Sequence, residues 1–479
     1  MADIFASNIM IKMKNLFKTL FVSIALVGTT ACETETELVE IPDSTIQEIA
    51  QAAATSAVNA ATAAVNSAAA AAANAAASQV ASQINNAVDS AVASATSNND
   101  SVDETRNVGT GGITEITTNV TWTNDRVWIM DGKIVVQSGG TLTIEAGTII
   151  KAQNGQQADA TALIVAKGGT LNANGTAANP IIFTDIEDQI SYSNNGVSPN
   201  RRATDTGKWG GVIILGRASV GEDGGSDDIE GIVSGYDWTT YGGSDDADNS
   251  GSITYVSIRH SGTQLGNGDE IQGLTLGGVG SGTTINNIEV VGSNDDGIEI
   301  FGGSVNVSNV VILNQRDDAL DLDEGYKGTV SNAVIQMRNN SDNPFEIDGT
   351  EDSTGTIDGA FTVENVTVFG AANPEAGKNN LGDWKSDATG LTKNVVYQNV
   401  NNLAIKGIDA DTYNGTATSA SLGNLNFAGF EFISTSTLAD IFANTTVTDY
   451  SNWASVVTTP TVGADTTGLQ WTLWYNLQN

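Results

Sequence analysis

The chain has 479 residues, with 20 Lys plus Arg against 56 Asp plus Glu, a formal net charge of −36, one His and one Cys. A polyanion of this kind is repelled by nucleic acid and by anionic headgroups, because the cations that would neutralise phosphates are outnumbered almost threefold. One cysteine excludes an internal disulfide framework and multi-cysteine zinc sites, and one histidine excludes His-based metal clusters.

Residues 12–28 read KMKNLFKTLFVSIALVG, in which Lys12, Lys14 and Lys18 precede an apolar run from Leu20 to Val27. The run is too short to span a bilayer and has the layout of a secretory signal peptide, with Met13 as the more natural start. GTTAC follows, ending in Cys32, and then the acidic CETETE. This string resembles a bacterial lipoprotein signal, where the cysteine becomes the first mature residue and carries the lipid. The resemblance implies a signal peptide over 1–32, lipid attachment at Cys32, and a protein tethered to a membrane surface without crossing it.

An acidic tether over 33–44 leads into residues 45–97, where alanine dominates and neither Gly nor Pro occurs. Helix propensity predicts a long α-helical stalk there, capped at Asp43 or Ser44 and roughly 75 Å long. A heptad register begun at Ile46 and Ile49 sets small or aliphatic residues along one seam, Asn74 apart, and offers a route to a homo-oligomer. A polar linker over 98–107 ends the Ala-rich part.

From 108 to 479 the pattern changes to short apolar-alternating runs bounded by Gly, Asn and Asp, which are strands and turns. VQSGGTL from Val136 recurs as VAKGGTL from Val165. INNIEVV from Ile285 recurs as VSNVVIL from Val307, VSNAVIQ from Val330 and VENVTVF from Val363. A direct repeat of about 22 to 29 residues without a helical pattern predicts an all-β fold, a parallel β-helix, which resembles the pectin-lyase-like solenoid. About 15 coils would make a rod near 70 Å long. The terminal LQWTLWYNLQN, with Trp471, Trp474 and Tyr475, is expected to cap the last coil.

The strings LTIEAGTIIK, ALIVAKGGTL, NPIIFT, WGGVIILG, NDDGIEIFGG and DDALDLDEGYKG resemble a largely uncharacterised family of surface lipoproteins of Gram-negative bacteria, many from the Bacteroidetes. The resemblance is close from Ile134 to Lys327. It implies a right-handed parallel β-helix and an outer-membrane lipoprotein on the extracellular or periplasmic face, and brings no activity with it.

One constellation carries chemistry. Aligning successive coils by their apolar alternation places Glu299, Asp321 and Glu346 in one outward column, Asp296 and Asp318 in a second, and Asp323 and Asp348 in a third. Carboxylates one coil apart stand about 5 Å from each other, and like charges so opposed repel. Water, raised pKa values, Arg316, Arg338, Lys327 or a divalent cation could relieve the strain, and Ca²⁺ suits an all-oxygen site. Asp227-Asp228 and the run Asp245, Asp246, Asp248 also have the look of loop-type calcium ligands.

The spacing of Asp295-Asp296 and Asp317-Asp318 resembles the paired aspartates of polygalacturonases, which implies acid and base roles for Asp296, Asp318 and Asp321. A calcium-assisted lyase with Arg316 or Arg338 as base also fits the ingredients. Against both, the Gly-His-Gly and Arg-x-Lys motifs of the polygalacturonases are absent, and His260 lies upstream as a strand-end residue. Trp209, Trp238 and Trp384, with Tyr236 and Tyr241, offer rings for sugar stacking if they share an exposed face. The sequence thus favours a non-catalytic, Ca²⁺-steadied binding or adhesion module for a polysaccharide or surface protein. A β-helix polysaccharide lyase or glycoside hydrolase acting on an acidic polysaccharide is the alternative, and an envelope spacer the third.

Overall fold

Each repeat places β-branched residues at alternating positions and ends in Gly, Asn or Asp, so one coil buries half its side chains and turns sharply. The computed structural model describes residues 105–478 except 193–196, 267–268, 352–358, 401–404, 417–418, 444 and 446. The signal peptide, Cys32, the tether, the stalk with its heptad seam, and the start of the linker lie outside the described residues. Among those described, no helix is long and apolar enough to cross a membrane.

The strands stack in three parallel ladders. In the first, the second half of Val127–Val136 pairs with Ala162–Val165, Val212–Leu215, Leu274–Gly277, Ile298–Phe301, Leu320–Asp323, Phe345–Ile347, Asp383–Trp384 and Gly407–Ile408 in turn. The second and third ladders run separately through Thr141–Ile144 with Thr170–Asn174, and through Ile149–Ala152 with Ile181–Asp185. They then merge into single long strands from Gly251–Arg259 through Thr284–Val291, Asn306–Leu313, Thr329–Gln336, Phe361–Phe369 and Gly390–Gln398 to Leu425–Ile433. The third ladder counts twelve strands among the described residues, for a stacked length of roughly 50 Å. That is fewer coils than expected, because side segments such as 216–250 and 260–273 take up chain without adding a layer.

Each long strand bends at one residue in the left-handed region, Tyr255 in the first and a recurring Asn in the next five: Asn287, Asn309, Asn332, Asn365 and Asn394 have φ between 55° and 59°. Asn reaches this conformation more readily than other side-chain-bearing residues. Neighbouring amides join the coils: Asn332 Nδ2 donates to Asn309 Oδ1 at 2.7 Å and Asn394 Nδ2 to Asn365 Oδ1 at 3.0 Å. In the last long strand the corner is Gly429, φ +64°, where a Cβ would come within 2.9 Å of Asn394 Oδ1.

The axial core is Ile, Val and Leu through most of the rod and becomes aromatic toward the C-terminal end, where Trp384, Tyr397, Phe427, Phe430 and Phe432 are buried. Phe442 and Trp453, from the segment after the last long strand, close this end; the Trp453 ring stacks on Phe427 with centroids 4.9 Å apart. The C-terminal stretch therefore does not cap the last coil as expected. It folds back along the side of the rod: Thr461 meets Glu431, Ala464 N donates to Thr367, Asp465 meets Asn332, and Trp474 N donates to Glu289. Leu469 and Trp474 cover Val291, Val311, Leu313 and Val334, an apolar strip that the third ladder presents outward.

Candidate metal centre

The first ladder changes character along its length. Its outward positions in the early coils are Val135, Ile164 and Ile213, followed by Thr275, Glu299, Asp321, Glu346 and Asp383 in register. Segment 216–250 folds over the apolar part, with Ile229, Ile232, Trp238 and Tyr241 packed on Ile213, Leu215 and Phe301. Two of the candidate sugar-stacking rings are thereby consumed: Trp238 and Tyr241 are buried under their own loop. Trp209 and Trp384 point into the axial core and are fully buried, so none of the three tryptophans offers a face to a glycan. Tyr236 alone of this set is exposed, stacked on Trp238 at 5.0 Å.

The acidic column lies on the outward side of its strands but is not a solvated face. Glu299 is 6 % exposed, Asp296 6 % and Asp318 3 %. Beside the column, Gln272 donates to Glu230 at 2.6 Å and accepts from Thr275 at 2.7 Å, while the Tyr241 hydroxyl donates to Glu324. Asp296 and Asp318 stand one coil apart, and each uses one oxygen to hold the next coil: Asp318 N donates to Asp296 Oδ1 at 2.7 Å, and Asn343 N to Asp318 Oδ1. Asp323 and Asp348 stand in corresponding positions of the next pair of coils, and the Asp348 charge bears on Asp323.

Relief of the repulsion is uneven. Toward the C-terminal end, Lys385 pairs with Glu346 and with Asp348 at 3.2 Å, Lys378 with Asp342 at 3.0 Å, and Lys406 lies 3.8 Å from both Asp342 and Asp383. Among the described residues no cation makes an ion pair with Asp296, Glu299, Asp318, Asp321 or Asp323. The cations expected there are engaged elsewhere: Arg316 donates to Asn294, Arg338 to the Thr204 carbonyl, and Lys327 pairs with Asp246. Among the described residues Arg316 thus makes no ion pair with the aspartates beside which a lyase would use it as base.

Burial first, and neighbouring carboxylates second, push Asp296, Glu299, Asp321 and Asp323 well above the usual carboxylate range. Asp318 is pushed up by burial and by a hydrogen bond to Glu346, so this proton belongs to a shared pair. On Glu346 burial is outweighed by the bonds from Asp318 and Lys385, which bring it down to about 2. At the flanks, burial carries Asp295 and Glu324 up to about 8.

The carboxylates converge in two groups. One oxygen each from Asp296, Asp318 and Asp321 lie within 4.8 Å of one another, and so do oxygens of Glu299, Asp321 and Asp323. Oxygens at such separations fit around a cation at about 2.4 Å, the usual Ca²⁺–O length. Glu299 Oε2, Asp321 Oδ1 and Asp323 Oδ1 are buried without any hydrogen-bond partner. A buried orphan acceptor is costly, and an all-carboxylate set with no nitrogen or sulfur selects a hard cation.

The loop aspartates behave differently. Asp246 accepts from Ser219 and pairs with Lys327 at 2.6 Å, Asp248 is buried 3.5 Å from Arg217, and Asp245 closes a turn onto Ala247. Asp227 and Asp228 are exposed on a two-residue strand, Asp228 accepting from Thr239. None of these five converges on a metal-sized gap. A third acidic trio, Asp387, Asp409 and Asp411, is a turn in which Asp409 accepts from the other two backbone N–H groups at 2.7 Å. His260 sits at a strand-end corner, φ 61°, buried, with Nδ1 2.8 Å from the Asp205 carbonyl. Burial lowers its pKa, as suits a neutral structural residue.

The sequence reading missed Asp383, Lys385, Lys378 and Lys406, because the longer span after Glu346 breaks the coil period that aligned the earlier residues. The Asp-Trp pair at 383–384 repeats the acidic-outward, apolar-inward alternation and was the available signal.

No curated protein and no solved structure matches this chain. A family model described as the pectate-lyase-like β-helix domain matches residues 111–476, the span of the ladders from the first strand to the folded-back tail. By that match and by its stacked parallel coils, the chain belongs to the pectate-lyase-like β-helix family.

Proposed function

We propose that this protein is a lipid-anchored, outer-membrane surface protein whose β-helix is a non-catalytic binding or adhesion module held in its working form by Ca²⁺. The observation that supports the metal is the set of buried, unpartnered oxygens of Glu299, Asp321 and Asp323, beside the Asp296–Asp318 pair. Asp321 belongs to both trios, with Glu299 and Asp323 completing one and Asp296 and Asp318 the other. Ca²⁺ supplies charge neutralisation that the local lysines do not, and holds coils together that would otherwise repel. Asp348 and Glu346 are committed to Lys385 and stand as flanking acceptors. The observation favouring a non-catalytic reading is that Arg316, Arg338 and His260 are all tied to groups outside the stack.

Lipid attachment at Cys32, export and self-association through 45–97 complete the reading and rest on the sequence alone. The experiment is thermal unfolding of the intact chain with Ca²⁺ and then with chelator, run beside incubation with acidic and neutral polysaccharides. A midpoint that does not move removes the metal.

A second reading has its own observation. Asp318 is pushed up and Glu346 brought down across one coil, the pattern of a general acid beside a general base. In that reading the same face hydrolyses or eliminates across an acidic glycan. Release of new chain ends, abolished by Asp318→Asn, would establish it and overturn the non-catalytic one.

A further inference from the structure

Two sides of the rod are occupied: segment 216–250 and the carboxylates take up the first ladder, and the folded-back tail covers the third. The second ladder presents another chemistry. One outward column runs in register through Thr121, Thr143, Asn172 and Ser252, and continues through Thr284, Asn306, Thr329 and Thr362, eight successive coils in all. Two residues further along each strand, a second column starts at Asn174 and passes through Thr254, Asn286, Ser308 and Ser331. Every member of both columns is exposed or half-buried. Between the columns Ala173, Ile253, Ile285, Val307 and Val330 point into the axial core, which fixes the phase.

Core packing does not dictate which polar residues stand outward, so their identity is informative. On a chain with 16 % charged residues, neither column carries a charge until Glu364, and that carboxylate is paired with Lys393 on the next coil at 2.8 Å. The side chains are also held in place. Asn174 Oδ1 accepts from Ser252 at 2.7 Å and from Thr254 at 3.2 Å, Asn286 Oδ1 from Asn309 at 2.8 Å, and Asn306 Oδ1 from the Thr329 backbone at 2.9 Å. Most of the longer column is threonine, whose branched Cβ restricts χ1. The result is a fixed grid of hydroxyls and amides, about 4.8 Å apart along the rod and about 6.6 Å apart across it.

We propose that this face binds ice, its two columns holding a layer of water whose positions continue into the crystal. Hydroxyls and amides both donate and accept, as water does, and oxygen rows in ice repeat at close to the spacing of stacked strands. Neutrality matters because a charged side chain keeps its own hydration shell and breaks the lattice. Many weak contacts engaged together on one rigid grid hold a solid surface that a single one would not. A protein partner fits less well: a strip of about 35 by 10 Å offers less than half of the roughly 800 Å² per partner that a stable interface buries. A glycan surface would call for stacking rings, and neither column has an aromatic residue. The proposal stands apart from the metal centre.

The test is growth of single ice crystals in a solution of the intact chain, with Ca²⁺ present throughout so that the metal centre is not a variable. Faceted crystals, a gap between melting and freezing points, and enrichment of the protein in slowly grown ice are expected. Thr284→Tyr, exposed in the middle of the column, raises a ring above the grid and should shrink the gap at least fivefold with an unchanged unfolding midpoint. Thr121→Tyr on the first coil should shrink it less, Thr284→Ser should keep most of it, and Val233→Lys, exposed on segment 216–250, should leave it intact. Rounded crystals without a gap, or a gap undiminished in both Tyr variants, would overturn the proposal. So would a dimer in sedimentation that Thr284→Tyr breaks, which would give the face to a second copy, or retention on crystalline cellulose without enrichment in ice, which would give it to a neutral glycan solid.

Discussion

Asp321→Asn is the most informative single change, because Asp321 contributes to both carboxylate trios. In the metal-free chain Asp321 stands one coil from Glu346, which stays ionised down to about pH 2. Two unit charges about 5 Å apart at an effective dielectric near 20 repel by about 3 kcal/mol. The folded chain can avoid that cost by keeping Asp321 protonated, which at pH 8 costs about 1.4 kcal/mol for each pH unit above the ordinary carboxylate value. The smaller of these costs sets the gain, and burial adds to the first, so Asn stabilises the metal-free protein by at least about 3 kcal/mol at pH 8. With an unfolding entropy of about 2.1 cal/mol/K per residue over the β-helix, that raises Tm by roughly 4 °C. In Ca²⁺ the order reverses. Wild type gains about 2.7 kcal/mol at a hundredfold excess over Kd, and the variant, short of a ligand common to both trios, gains little. Scanning calorimetry of both proteins at pH 8, in chelator and in Ca²⁺, reads the crossing. A variant less stable than wild type in chelator, or one that keeps the full Ca²⁺ increment, would refute the reasoning.

The metal-free protein should lose stability as pH rises from about 4 to 8. Asp295 and Glu324 are raised to about 8, so the folded chain holds protons that the unfolded chain releases near pH 4, and the slope is about 1.4 kcal/mol per pH unit for each such group. Urea midpoints across that range check it, and Ca²⁺ should flatten the profile. Trp474→Ala strips cover from Val291, Val311, Leu313 and Val334 and is expected to cost about 3 kcal/mol in the same assay, with little effect on Ca²⁺ response. Asn309→Val forces a β-branched residue to φ 55° and breaks two amide bonds between coils, for a loss of about 2 kcal/mol, while Asn309→Gly loses less. Cys32→Ser should abolish incorporation of labelled palmitate in a Gram-negative host and release the protein from the membrane fraction; unchanged labelling would remove the lipid anchor.

The coil arrangement was legible because each repeat carries its own register mark. Asn at the left-handed corner, with Ile or Val two residues before it and three after it, recurs from INNIEVV to VENVTVF, so aligning the strings aligns the strands. The acidic column followed from the same alternation, since Glu299, Asp321 and Glu346 occupy one phase of the period. What alternation cannot show is the cover over an outward face. Trp238 and Tyr241 are polar-tipped aromatics on a loop, and only the apolar outward Ile213 and Leu215 beneath them explain why they are buried. Trp209 and Trp384 lie in the axial core among residues from distant coils, where no local pattern distinguishes them from surface rings. Lys385 and Lys378 reach the stack from the irregular chain around residue 380, where no repeat gives their phase. The return of the C-terminal tail to Glu289 and Tyr255 depends on an outward apolar strip, read in the sequence as the unbroken run Val290-Val291 and its successors rather than as alternation.

The central claim is that the buried carboxylates of the first ladder are a cation site and not merely a protonated stack. Crystals grown at pH 8 with Mn²⁺ as an anomalous stand-in for Ca²⁺ test it directly. The account expects an anomalous peak bounded by Asp321 with Glu299 and Asp323, or with Asp296 and Asp318, and its loss in Asp321→Asn. Anomalous density confined to the exposed Asp387, Asp409 and Asp411 turn, with the stack carboxylates in hydrogen-bonding contact with one another, would contradict it.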